Sequence, residues 1–172
     1  NLLFYAASSP LHDEEGRRAL VAEEMLLSGE YVVPTQYRVP YSKKPPMQNW
    51  LIVAASLPSG EVTRFSARVV TVPFFLGVPV ALYLFMRKRR PRHAFLAAAI
   101  AGTNFLMMCE YGAKAEPDMM LTAFTLFSFL AYMWNPTSAA WVSMSGLFMG
   151  AGILTKGLSP LFFYPGVILY TA

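Results

Sequence analysis

Val69 to Met86 reads VVTVPFFLGVPVALYLFM and runs straight into Arg87-Lys88-Arg89-Arg90-Pro91-Arg92. The first stretch carries no charge, and the second packs five cations and no acid. An uncharged run of this length predicts a helix that crosses a bilayer, because about 20 apolar residues span the hydrocarbon core. The cations at its end mark the cytoplasmic side. Ala94 to Cys109, Met119 to Trp134, Ala139 to Thr155 and Leu158 to Ala172 are equally free of charge. Each is slightly short of a full crossing, so flanking residues or local thinning must complete it. Composition agrees: 55% of residues are hydrophobic and 14% charged, against about 25% charged in an average soluble domain. The expected fold class is all-α, a polytopic transmembrane helical protein.

The chain divides into residues 1–7, read as the end of a first transmembrane helix, residues 8–68, an outer loop, and residues 69–172, five spans with short connections. It has no initial Met and stops inside an apolar run, which reads as a piece of a longer protein. A cleaved signal peptide is the competing account of the start, but no charged leader remains to support it. The single Cys109 excludes an intramolecular disulfide and reads as core.

Alternation from the cytoplasmic cations places residues 8–68, Gly112 to Pro117 and Lys156-Gly157 outside, and Asn135 to Ser138 inside. All ten acids then fall in the outer segments or at the ends beside them. The assignment used cations alone, so it is informative that Asp13, Asp118, Lys44 and Lys156 share one membrane face. The Arg87 to Arg92 run itself reads as a topology signal rather than a nucleic-acid or phospholipid site.

The outer loop is too patterned for a simple connector. Between Gly16 and Ser28, Leu20, Val21, Met25, Leu26 and Leu27 share the chain with Arg17, Arg18, Glu23 and Glu24, which predicts an amphipathic helix on the interface, ended by Gly29. Asp13, Glu14 and Glu15 open it, where the helix dipole favours negative charge. Three successive acids exceed what a cap requires, and His12 reads as a bystander. Tyr31 to Tyr41 predicts extended chain with turns at Pro34 and Pro40, and Met47 to Leu57 a second short helix carrying Trp50 at the interface. Lys43 and Lys44 read either as solvated interface cations or as ligands of a phosphate, pinned by Pro45-Pro46. Asp118 reads as a helix cap and, at the edge of hydrocarbon, as a costly carboxylate that suggests a role. Lys156 reads as a snorkelling cation before a Gly stop.

In order, Glu15-Gly16-Arg17, Glu24 to Thr35, Val39-Pro40-Tyr41, Lys44-Pro45-Pro46, Ser66-Ala67-Arg68, Pro117-Asp118-Met119 and Leu154-Thr155-Lys156-Gly157 resemble the opening of the aminoarabinose-transferase and protein-mannosyltransferase family of membrane glycosyltransferases. The resemblance covers nearly the whole chain. It implies a GT-C type fold with amphipathic interfacial helices in the first outer loop. It also implies an enzyme that moves a sugar from a polyprenyl-phosphate-linked donor to a glycolipid or protein acceptor. The setting would be the periplasmic, extracytoplasmic side of the plasma (inner) membrane, with no nucleic-acid partner. Asp13, Glu14 and Asp118 are the catalytic candidates, and Arg17, Lys44 and Lys156 the donor-phosphate candidates. Two departures stand out: the family's usual first Asp is Glu14 in this register, and the acid often found before the Lys-Pro-Pro lysine is Lys43.

These residue types suit the chemistry. Arg and Lys donors in a low-dielectric site stabilise the charge that develops on a departing phosphate. A carboxylate, Asp13 or Glu14, accepts the acceptor's proton, and a single displacement inverts the anomeric centre. A divalent metal ion is left open as a cofactor, with Asp13, Glu14 and Asp118 as its candidate ligands. Two alternatives differ in class. A transporter or flippase of lipid-linked substrates needs ionisable groups near mid-span, whereas here they gather at span ends. An inactive scaffold of the same fold is kept open by Lys43.

Overall fold

The structure, a computed structural model, describes residues 8–104 and 114–165. The expectations for residues 1–7, for Cys109 and for the second half of the last apolar run lie outside these residues.

Helix α1 (Asp13–Ser28) forms where the amphipathic pattern predicts it, with all three acids in its first turn. Its buried face is Glu15, Arg18, Val21, Ala22 and Met25, a three-and-four spacing. Gly29 ends it at φ 70°, and its N–H bonds the Met25 carbonyl at 3.0 Å. Only a residue tolerant of left-handed backbone suits that position. Two short antiparallel strands follow, β1 (Thr35–Gln36) and β2 (Val39–Pro40), in the register Thr35 to Pro40 and Gln36 to Val39.

The turn falls at Tyr37 (φ 54°) and Arg38 (φ 61°), not at Pro40 as the sequence suggested. The Glu24 carboxylate accepts from the backbone N–H of both, at 2.6 and 3.2 Å, and from the Thr35 hydroxyl at 2.5 Å. That clamp offsets the strain of non-glycine residues at positive φ. Pro40 sits at the strand end, where a missing N–H costs little.

Helix α2 (Met47–Ser56) starts after the Pro-Pro pair and buries Gln48, Asn49, Ile52, Val53 and Ser56. Trp50 donates its indole N–H to the Tyr31 carbonyl at 2.7 Å, tying the chain before the hairpin to α2. At the other end of the helix the Ser56 hydroxyl donates to Ser66 Oγ at 2.8 Å on α3 (Arg64–Val69). Thr63 caps α3 by accepting from the Ser66 N–H at 3.0 Å. Val21, Ala22, Met25, Tyr41, Ile52, Val53, Ala67, Val70 and Ala115 make one core among these elements.

Helix α4 (Val72–Arg89) continues α3, and together they form a 26-residue helical run, Arg64–Arg89. Among the described residues it is the one helix long and apolar enough to cross a membrane. Pro73 has no N–H to offer Val69, so the run tightens at Val70-Thr71, where the Thr71 N–H and hydroxyl both turn to the Arg68 carbonyl. Helix α5 (Pro91–Gly102) follows after Arg90 alone. The cationic loop expected from Arg87 to Arg92 is thus almost entirely helical, because Pro91 is well suited to a helix start. Helices α6 (Pro117–Trp134) and α7 (Ala139–Lys156) pack as a pair, and α4 lies against both α5 and α6. Where α4 meets α6 a Cβ on Gly77 would stand 2.9 Å from the tip of the Phe127 ring, so a larger residue there would have to move that ring.

Ser128 on α6 donates to the Ser145 carbonyl of α7 at 2.8 Å and lies 2.9 Å from the Tyr164 hydroxyl. Arg89 reaches the Met133 and Trp134 carbonyls, capping α6, while Lys88 sits 4.5 Å over the Trp134 ring. Leu158 to Ala172 was expected to be a span. It opens instead as a 3-10 turn, Ser159–Phe163, with Pro160 in its first turn.

Candidate active site

The first turn of α1 presents Glu14 and Glu15 in opposite roles. Glu14 is about one-third exposed and is surrounded by cations. Arg17 pairs with it one turn on, Lys44 Nζ stands 3.0 Å from Oε2, and Arg18 Nη2 is 3.8 Å away. The hydrogen bond from Lys44, helped by the charges of Lys44, Arg17 and Arg18, holds its carboxyl below the ordinary glutamate range against the opposing effect of burial.

Glu15 is buried. Arg68 grips it with two prongs, Nε to Oε1 at 2.8 Å and Nη2 to Oε2 at 2.7 Å. The N–H groups of Ala115 and His12 add bonds at 2.9 and 3.3 Å. Burial pushes the Glu15 carboxyl upward, but the Arg68 bonds and the two backbone donors outweigh it and leave it low. Arg68 also donates to the carbonyls of Ser9 and Pro10, at 2.8 and 2.7 Å.

Lys44 therefore comes to α1 from the segment after the hairpin. It also lines a pocket of about 380 Å³ whose other walls include Tyr41, Ser42, Pro45 and Pro46. Buried Arg18 lies beneath, with its guanidinium carbon 5.7 Å from the centre of the Tyr41 ring.

A second ion pair stands at the ends of two long helices: Lys156 Nζ, closing α7, is 2.5 Å from Asp118 Oδ1, opening α6. Between the clusters lies Glu116. The hydrogen bond from Ala115 to Glu15 places this segment against α1, and Glu116 feels the charges of Lys114, Asp118, Glu15 and Lys44.

Of the expected site residues, Glu14, Arg17 and Lys44 meet in one cluster and Asp118 and Lys156 in another. Asp13 is exposed at φ 40° and joins neither. Among the described residues no three of His, Cys, Asp and Glu are grouped to hold a metal ion, so Asp13, Glu14 and Asp118 do not fit the divalent site that the sequence left open. Sequence reasoning gave no role to Arg68, Arg18 or Glu116. Arg18 had a local signal, the four-residue spacing from Glu14 on a helix; Glu15, the partner of Arg68, comes from a distant chain segment.

Comparison with known proteins places these features in a family. The model of the family described as dolichyl-phosphate-mannose-protein mannosyltransferase matches residues 43–172. The chain is 27% identical over 154 residues to the undecaprenyl phosphate-alpha-4-amino-4-deoxy-L-arabinose arabinosyl transferase of Shewanella sediminis, covering 86% of this chain and 28% of that one. It is 30% identical over 157 residues to the transferase 2 of that description in Proteus mirabilis, again with 86% and 28% covered. The chain thus spans under a third of the length of these relatives. In fold it is similar to the crystal structure of ArnT from Cupriavidus metallidurans in the apo state, with a TM-score of 0.79 at 24% identity, covering 99% of this chain and 33% of that one. It is also similar to the structure of that protein bound to undecaprenyl phosphate, with a TM-score of 0.68. Since the family model covers more than half of the chain, this protein belongs to the dolichyl-phosphate-mannose-protein mannosyltransferase family.

Proposed function

We propose that the full-length protein carrying this chain is a membrane glycosyltransferase that takes a sugar from a polyprenyl-phosphate-linked donor and passes it to a glycolipid or protein acceptor at the outer face of the membrane. The observation that carries this reading is the Glu14 cluster. Three cations converge on one partly exposed carboxylate beside a pocket lined by Lys44. Positive charge there exceeds what Glu14 neutralises, which favours an anion.

On this reading Lys44 and Arg17 engage the donor phosphate. The acceptor oxygen bonds to the anomeric carbon as the carbon–oxygen bond to phosphate breaks, and that electron pair leaves on the phosphate. The phosphodiester carries one negative charge and the departing monoester gains more, so the cations bind the departing group more tightly than the ground state. Glu14 is the partner that Lys44 and Arg17 release when the phosphate arrives. Freed of their charge, it becomes a better hydrogen-bond acceptor and can orient the acceptor hydroxyl. Asp118 and Lys156 complete the outer face, with the long run that ends in α4 crossing the membrane.

The test uses the full-length protein in membrane vesicles, supplied with undecaprenyl phosphate-linked 4-amino-4-deoxy-L-arabinose or with polyprenyl phosphate mannose. Lys44→Ala is expected to lower transfer about a hundredfold or more. Glu14→Gln is expected to reduce transfer while tightening undecaprenyl phosphate binding about two- to fivefold, since a competing ion pair of this exposure is worth up to about 1 kcal/mol. Undiminished transfer in well-inserted Lys44→Ala would sink the proposal.

A further inference from the structure

We propose that Glu116 is a catalytic residue, the carboxylate that removes the proton from the acceptor hydroxyl as it attacks the sugar. The inference deepens the transferase reading and rests on it. In the step, the acceptor O–H proton goes to a Glu116 oxygen, the acceptor oxygen forms the bond to the anomeric carbon, and the polyprenyl phosphate leaves with the electron pair of the broken bond.

The geometry singles out Glu116 among the acids of this face. Glu14 is held by Lys44, Arg17 and Arg18, and Arg18 stays beside it after the donor phosphate draws the other two away, which suits it to orienting the hydroxyl rather than taking its proton. Glu15 is enclosed by Arg68 and two backbone donors. Asp118 is held by Lys156 at 2.5 Å. Glu116 is half-buried, stands at the N-cap of α6 without capping it, and has no ion pair or side-chain hydrogen bond among the described residues.

It is placed between the two cationic clusters. The preceding residue, Ala115, bonds Glu15 on α1, and the helix it opens carries Asp118 to Lys156 of α7. The charged groups that face it are Lys114 beside it, Asp118 on α6, Glu15 on α1 and Lys44 before α2. A carboxylate without an ion-pair partner among the described residues, set between cations, can accept a proton without first surrendering one of them.

Electrostatics agrees with this division of labour. Burial, reinforced by Asp118 and Glu15, raises the Glu116 carboxyl above its ordinary range despite Lys114 and Lys44, whereas Glu14 is lowered. A raised carboxylate is the stronger base, and environments that push two acids apart separate an acid–base role from a charge-holding one.

The test measures transfer by the full-length protein in vesicles across about pH 4 to 8, which brackets a raised carboxyl, using undecaprenyl phosphate-linked 4-amino-4-deoxy-L-arabinose as donor. Wild type should lose rate as pH falls and Glu116 protonates. Glu116→Gln should transfer about 10²- to 10⁴-fold more slowly, still bind undecaprenyl phosphate, and lack that acid limb. Glu116→Asp should keep a measurable rate together with the limb. A Glu116→Gln protein that transfers within severalfold of wild type, or that keeps the same acid limb, overturns the assignment. If Glu116→Gln fails to insert, Glu116→Asp decides: a rate with no acid limb overturns it. A wild type that transfers neither from this donor nor from polyprenyl phosphate mannose, or a Lys44→Ala variant equal to wild type, instead overturns the transferase reading itself.

Discussion

Glu15 and Arg68, at opposite ends of the outer loop, face each other in a two-pronged ion pair with bonds of 2.8 and 2.7 Å, both side chains essentially out of solvent. The pair joins the first turn of α1 to the start of the long helical run, and the same guanidinium gathers in the carbonyls of Ser9 and Pro10. Removing either partner leaves a buried charge without its counter-ion, at a cost of about 3–5 kcal/mol. Arg68→Leu should therefore lower the unfolding midpoint sharply and expose residues 8–68 to protease while α4, α6 and α7 stay protected. Unchanged proteolysis would mean that α1 is held by its apolar face alone.

Acid should act on the same contact. The folded-state carboxyl of Glu15 is lowered, so it contributes stability above its unfolded value, near about 4.3, and that contribution is lost as pH falls through the lower folded-state value. Denaturation of wild type between about pH 5 and pH 2 should show this loss. Glu15→Gln should be less stable at neutral pH but show a shallower decline. Parallel curves for the two proteins would contradict the linkage.

Gln48 and Asn49 offer a contrasting case. Both are buried on α2, and none of their four side-chain amide atoms has a hydrogen-bond partner among the described residues. A buried polar group left unpaired costs about 1–3 kcal/mol, whereas an apolar side chain of like size does not. Gln48→Leu should therefore raise stability by about 1 kcal/mol in thermal unfolding. A drop of similar size would show that the amide is bonded in solution, and that α2 sits differently against α1 and α3.

The local features of this chain were legible and the distant ones were not. The α1 pattern with its Gly29 stop, the Pro46 start of α2 and the apolar runs of α4, α6 and α7 each depend on residues within a few turns, where periodicity and caps carry the information. The Arg68 grip on Glu15 depends on the folding back of the whole outer loop, which no periodicity reports. Arg68 was visible only as part of the Ser66-Ala67-Arg68 motif, and Glu116 only as the neighbour of Asp118. The hairpin turn was misplaced for the same reason. Proline is a local signal, but the Glu24 carboxylate that holds Tyr37 and Arg38 at positive φ comes from another element.

The helical run Arg64–Arg89 is anchored at both ends. Arg68 locks onto Glu15 near its start, and Arg89 locks onto the end of α6 at its finish. At 1.5 Å per residue these two arginines stand roughly 31 Å apart along the axis, close to the ~30 Å thickness of the hydrocarbon core. On the proposed topology the run acts as a depth gauge. Because neither anchor can slide without breaking its contacts, the height of the Glu14 and Lys44 cluster above the inner face is set by helix length.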